Sequence, residues 1–190
     1  MSYLIQGPSL SYAVQEQMRR DAVVSGRKAL FDKKIVTASD PDLVVDRDAD
    51  YVADFVPPAT AAGLGGWLTM PLAAAGANYS VFANNVPAAL VPQVANNTVV
   101  VFYGVHILTP GDPVSLLTFA TGRNGNITKA YFDLEKLYSN TETWGYFTKP
   151  VVYYPQEFIT CTVRARAATG VGCRVMLDTL IFEPIQTTQA

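Results

Sequence analysis

With 190 residues, a formal net charge of −2, and 16% charged against 49% hydrophobic side chains, the chain is long enough for one ordinary domain plus an appendage. That charge balance excludes a global electrostatic pull toward nucleic acid or an anionic membrane. Two cysteines, Cys161 and Cys173, exclude a disulfide scaffold and a cysteine-based metal set, and the N-terminus lacks the basic and apolar regions of a signal peptide.

In chain order, residues 9–25 read as a short helix capped by Ser9 or Ser11. Leu10, Val14, Met18 (or Gln17) and Ala22 approximate one face, and Gly26 ends the pattern. So narrow an apolar face needs a partner surface. Basic residues gather here: Arg19, Arg20, Arg27, Lys28, Lys33 and Lys34. Over 40–54 six aspartates stand against one arginine. The two blocks are complementary, which serves an assembly better than a lone domain. Within the acidic block, "DRDADYVADF" spaces its aspartates like a calcium loop. Tyr51 and Pro57, however, occupy the places where an EF-hand needs Gly and Glu, so no metal site is expected. Turn and polyproline signals at "SDPDL" and "VPP" make 26–60 extended or irregular. Residues 1–60 are therefore expected to form an N-terminal arm, and 61–190 the body.

From Phe55 to Gly111 there is no Asp, Glu, Lys or Arg. Rich in Gly, Ala and Pro, the segment is too weakly apolar for a membrane helix. Burial against other subunits, where charge is depleted, is preferred over a neutral wetted surface. "GLGGW" at 63–67 lacks the context of a phosphate loop. Short strands are expected at Trp67–Met70 and Tyr79–Ala83.

From Thr98 the pattern is β. "TVVVFYGVHIL" is apolar on both faces, as a doubly covered central strand requires. It carries His106, the only histidine, as a half-buried strand residue. "VSLLTFA", a turn at Asn124-Gly125 and "ITKAYFDL" follow, then "WGYFTKPVVYY", in which Pro150 breaks the strand or marks an edge. "EFITCTVRAR" and "VGCRVMLDTLIF" alternate with period two and are expected as a hairpin turning at 167–170, with both cysteines facing inward as free thiols. About eight short strands with little helix describe a mainly β protein, an antiparallel β-sandwich best fitted by a single jelly roll. Asp133, Glu135, Glu142, Glu157 and Glu183 show no spacing that would pair them, and no Ser–His or Cys–His set exists. Neither enzymatic activity nor a cofactor is expected. The aromatic residues of 131–158 read as core first, subunit interface second and sugar-stacking platform third.

The charged arm, the uncharged segment, "TVVVFYGVHIL", "WGYFTKPVVYYPQEFITCTVRAR" and "GCRVMLDTLIFEP" together resemble a jelly-roll structural protein of a virus particle. They are most similar to the capsid decoration (cement) proteins of tailed bacteriophages. The resemblance implies a non-enzymatic virion protein, made in the host cytoplasm and seated on the capsid exterior. It would bind the major capsid protein and copies of itself, as a homotrimer, without touching nucleic acid or membrane. The capsid or subunit interface is then expected at Met18, Arg19, Arg20, Arg27, Lys28, Leu64, Trp67, Leu68, Trp144 and Tyr146. The alternative is a carbohydrate-binding β-sandwich acting as a receptor-binding tip, with Trp144 or Tyr146 lining an exposed groove.

Overall fold

A computed structural model of the chain describes residues 4–6, 10–35, 44–49, 70–72, 74–81, 93–107, 111–122, 126–138, 144–173 and 175–184. Its elements in order are β1 (Leu4–Gln6), α1 (Tyr12–Asp32), β2 (Val44–Ala49), β3 (Met70–Leu72), β4 (Asn78–Ser80), β5 (Val99–Ile107), β6 (Val114–Thr121), β7 (Ile127–Asp133), α2 (Glu135–Tyr138), β8 (Trp144–Tyr153), β9 (Thr160–Ala165), β10 (Thr169–Cys173) and β11 (Val175–Pro184). Two antiparallel sheets pack face to face in a β-sandwich-like arrangement. One has the order β1-β8-β5-β11-β2 and the other β4-β9-β6-β7, and β10 pairs with β3 in a short separate ladder.

Period-two alternation supplies the layer between the sheets. Val100, Phe102, Val105 and Ile107 of β5, Leu177 and Ile181 of β11, Leu117 and Phe119 of β6, and Cys161 and Val163 of β9 share one buried cluster. Aromatic rings tie the layers together. Phe132 stacks on Phe147 with centroids 4.0 Å apart, and Phe119 meets Phe147 edge-on at 5.6 Å. Phe102 lies 5.2 Å from Phe119. Burying each such ring is worth about 1.5–3 kcal/mol. The Tyr153 hydroxyl, fully buried among them, donates to the Ala120 carbonyl at 2.8 Å. Cys161 and Cys173 are both buried and free, as expected.

The strands read as a C-terminal hairpin lie in different sheets. β9 sits between β4 and β6, whereas β11 sits between β5 and β2. Alternation dictates which residues face inward but not which strand lies alongside, and β10 diverts the chain to β3 between them. The expectation for Pro150 fits better. Phe102 faces Val151 and Gly104 faces Tyr146, so residues 147–150 bow away from β5. β1 reaches only 145–147 of the other edge, so the missing proline N–H breaks no ladder there.

The helix differs from its sequence reading. It runs from Tyr12 to Asp32, through Gly26, and buries Ala22, Gly26, Ala29 and Leu30. Val14, assigned to the buried face, is 37% exposed. The reason is steric. A Cβ on Gly26 would land on the Phe182 ring of β11, so this stripe of small residues lets the helix approach the sheet closely. That contact outweighs the helix-propensity cost of a mid-helix glycine, about 1 kcal/mol. The helix ends in a Schellman motif instead. Lys34 N–H donates to Phe31 O at 2.9 Å and Ile35 N–H to Leu30 O at 3.0 Å, with Lys34 at φ 56. Part of the segment expected as an arm is thus built into the body. β1 and β2 are the two edges of the five-stranded sheet, and α1 packs on its outer face through Val99, Val101, Leu180 and Phe182.

Gly26→Ala is expected to destabilise the protein by about 1–3 kcal/mol, because the Phe182 ring must shift to admit the methyl. A urea midpoint equal to that of the parent protein would show that the close approach is unimportant. Burial also pushes the Tyr153 hydroxyl and the Cys161 thiol well above their ordinary values of 10.0 and 9.0. Both stay neutral in the fold, so their contribution to stability is complete below about pH 9 and is lost as pH rises past 9.0 and 10.0 toward the folded values. The denaturation midpoint should therefore be flat near neutrality and fall as pH rises past 9.0, more steeply past 10.0. Tyr153→Phe should cost about 0.5–1.5 kcal/mol at neutral pH and make the alkaline fall shallower.

Candidate functional site

Among the described residues, the outer face of the five-stranded sheet is covered at one end only. α1 lies over one end, where Ala22, Ala29 and Leu30 bury Val99, Val101, Leu180 and Phe182, with Tyr103, Val152 and Tyr154 at the margin. Toward the other end, two rows cross β11, β5 and β8. Met176, His106 and Trp144 form one, and Asp178, Gly104 and Tyr146 the other.

A bulge brings these side chains together. Asp178 faces Gly104 and Thr179 faces Phe102, so Tyr103 is an extra residue in β5. Phe102 and Val105 still point into the sandwich while Tyr103 joins the outer cluster, the re-aiming that a bulge produces. Gly104 forms the floor, because a Cβ there would collide with Oδ2 of Asp178. The carboxylate lies across the β5 backbone and reaches His106 Nε2 at 3.0 and 3.1 Å. The His106 ring stacks on Trp144 at 5.5 Å with the planes 5° apart. Trp144 meets Tyr146 at right angles at 5.6 Å, and Tyr146 stacks on Tyr103 at 6.0 Å. The His106 and Asp178 side chains remain 25% and 20% exposed. Burial, and then the Asp178 charge, hold the Tyr146 hydroxyl above the usual tyrosine range.

Such a patch offers π-faces, π-edges and a carboxylate. Trp144 and Tyr146 have each given one ring face to an internal stack, which weighs against a flat sugar platform. A carboxylate beside aromatic rings suits cationic and apolar protein side chains better.

The second surface is the outer side of α1. Val24, Arg27, Lys28 and Phe31 follow the i, i+3, i+4, i+7 spacing of one helix face. All four are exposed, Val24 at 64% and Phe31 at 51%. Met18 and Arg19 are half-buried on the same helix, and Arg20 pairs with Glu16 at 3.4 Å.

The expected interface residues thus fall on two neighbouring surfaces, Met18, Arg19, Arg20, Arg27 and Lys28 on α1, and Trp144 and Tyr146 in the aromatic patch. Leu64, Trp67 and Leu68 lie outside the described residues. In the acidic block, Asp46 and Asp48 are strand residues of β2 opposite Phe182 and Leu180, while 50–55 lie outside the described residues. Sequence reasoning missed Asp178 and Tyr103, and also Val24 and Phe31. The available signals were the outward phase of Asp178 in β11 and the second i, i+3, i+4, i+7 face of the helix.

The carboxylates considered for catalysis have structural partners. Glu157 meets Lys129 at 2.7 Å, Glu135 meets Arg166 at 2.9 Å, and Asp133 accepts the Glu135 N–H at 2.9 Å. Glu142 lies outside the described residues. Lys129 also donates to the Val152 carbonyl at 2.8 Å, fastening β7 to β8 beside a cleft of about 320 Å³ lined by Lys129, Lys149, Pro150 and Tyr154. Among the described residues, no three of His, Cys, Asp and Glu gather as metal ligands, and no helix is long and apolar enough to cross a membrane. No protein-family model and no curated protein matches the sequence.

Asp178→Asn removes the negative charge beside Tyr146, so the Tyr146 hydroxyl should titrate at lower pH than in the parent protein. Difference absorbance of the phenolate band measures this, with Tyr146→Phe to assign the signal. An unmoved titration would mean that the carboxylate does not act on the ring.

Proposed function

We propose that the chain is a non-enzymatic structural protein of a virus particle, built as a single jelly roll, that decorates and stabilises a capsid. Its partners on this reading are the major capsid protein and copies of itself, on the capsid exterior. The architectural part rests on the order of pairing. Setting aside β1, β3 and β10, whose pairings lie outside this pattern, the remaining eight strands pair first with last (β2 with β11), second with seventh (β4 with β9), third with sixth (β5 with β8) and fourth with fifth (β6 with β7). Nested pairing of this kind, split between two sheets, supports a jelly roll.

One observation carries the functional part. Of the large apolar side chains exposed among the described residues, Tyr12, Val14, Val24 and Phe31 lie on α1, and the remaining two, Ile127 and Tyr131, lie on β7 of the other sheet. A concentration of exposed apolar and aromatic groups on one side of a fold is the signature of a protein-binding surface. The described part of the charge-free stretch from Phe55 to Gly111 is largely the fold's own core, through Leu72, Val81, Val94 and β5, and adds no separate argument for a partner. Because β1, α1 and β2 belong to the body, the shell contact is assigned to the helix and sheet faces and not to a detachable arm. Many copies on one shell turn modest contacts into firm attachment.

Density-banded virus particles from the source of this protein are the material for the test. Peptides of the chain should appear in them at a constant ratio to the main shell protein, and antibody against α1 should bind disrupted particles better than intact ones. Intact particles that lack the chain would overturn the reading.

A further inference from the structure

We propose that two copies of this chain pair about a two-fold axis, each laying the outer side of its α1 on the aromatic patch beside the other's helix. The inference rests on the self-association part of the reading above and replaces the expected three-fold contact with a two-fold one.

Among the described residues, the outer face of the sheet is unevenly covered. At 1.5 Å per residue, α1 is a rod roughly 30 Å long, and a packed helix stands about 8–10 Å above the surface beneath it. It covers the end of the outer face marked by Val99, Val101, Leu180 and Phe182 and, among the described residues, leaves the end marked by Trp144, Tyr146, His106 and Asp178 half-buried. Two such faces brought together are held one helix diameter apart by their own helices. Over the uncovered half of each sheet this leaves a gap that one further helix fills. A two-fold axis lying in the interface, across the strands, reverses the strand direction and puts each helix into the gap above the other's patch.

The chemistry of the two surfaces matches. Val24 and Phe31, largely exposed, meet the half-buried rings of Tyr103, Trp144 and Tyr146. Arg27 and Lys28, exposed between them, meet the Asp178 carboxylate. The contact is self-complementary, so it closes at two copies and does not run on into a filament. The same patch suits a membrane poorly because Asp178 and His106 lie in its middle. It suits a flat sugar poorly because the stacks already occupy ring faces.

Sedimentation velocity of the full-length protein over a range of concentrations tests the pair. A dimer is expected, with Val24→Asp and Phe31→Asp each weakening association at least tenfold. Both positions are exposed, and circular dichroism should show an intact fold. Asp178→Arg should weaken the dimer as well, and adding Arg27→Asp and Lys28→Asp in the same chain should restore it, since the charges then meet with exchanged signs. Should Asp178→Arg lose its fold, the Val24→Asp result decides alone. A monomer at every concentration, a trimer, a dimer indifferent to Val24→Asp, or a monomer that binds a glycan through Trp144 would each overturn the pair. A monomer still present in banded particles overturns the pair and spares the virion reading. A dimer absent from particles does the reverse.

Discussion

The contact on which the outer half of this molecule depends is between a hydrogen atom and a ring. Gly26 has no Cβ, and the ring of Phe182 occupies the space a Cβ would take. Ala22 and Ala29 extend the same small stripe along α1. The helix therefore seats directly on β5, β8 and β11 over one end of the sheet. Larger residues would lift it, expose Val99, Val101 and Leu180, and remove the reason for those outward positions to be apolar. Among the described residues the same seating leaves the other end of the face half-buried, so the two ends of the face differ.

What occupies the bare end follows from a second local constraint. An extra residue in β5 turns Tyr103 outward beside Gly104, and the absence of a side chain at Gly104 lets Asp178 lie across the strand to His106. A regular ladder would have placed Tyr103 and the row at Gly104 on opposite faces. Bulge, glycine and carboxylate form one device, and the stacked rings on either side hold it. At the open margin of the sandwich a different device acts. Lys129 spans from β7 to the Val152 carbonyl and Glu157, so the two sheets are fastened by charge where the hydrophobic layer ends.

For a protein proposed to work on the outside of a shell, this division of labour is physically sensible. Rigidity comes from the aromatic layer between the sheets, where Phe102, Phe119, Phe132 and Phe147 interlock. On the proposed reading recognition falls to the outer face, whose two halves differ in chemistry, with exposed Val24, Arg27, Lys28 and Phe31 on the helix and aromatic rings beside Asp178 on the strands. A surface holding both partners of a contact side by side favours association with its own copies through symmetry. The low content of charge elsewhere adds little long-range repulsion to oppose assembly.

The sequence by itself determined the local facts. The alternation in "ITCTV" and "VMLDTLIF" settled which residues enter the core. The apolar run at 99–107 marked a central strand, Pro150 marked an irregular edge, and the cysteines were legible as buried thiols, because each of these depends only on side-chain chemistry and period. Tertiary structure alone decided the neighbours. That β9 and β11 lie in different sheets, that Gly26 is a contact point and not a helix end, and that Asp178 reaches His106 across a separation of 72 positions all depend on pairings distant in sequence. Strand alternation carries no address for its partner. A glycine reads the same whether it ends a helix or admits a ring, so the site built from these pairings emerged only once the chain was folded.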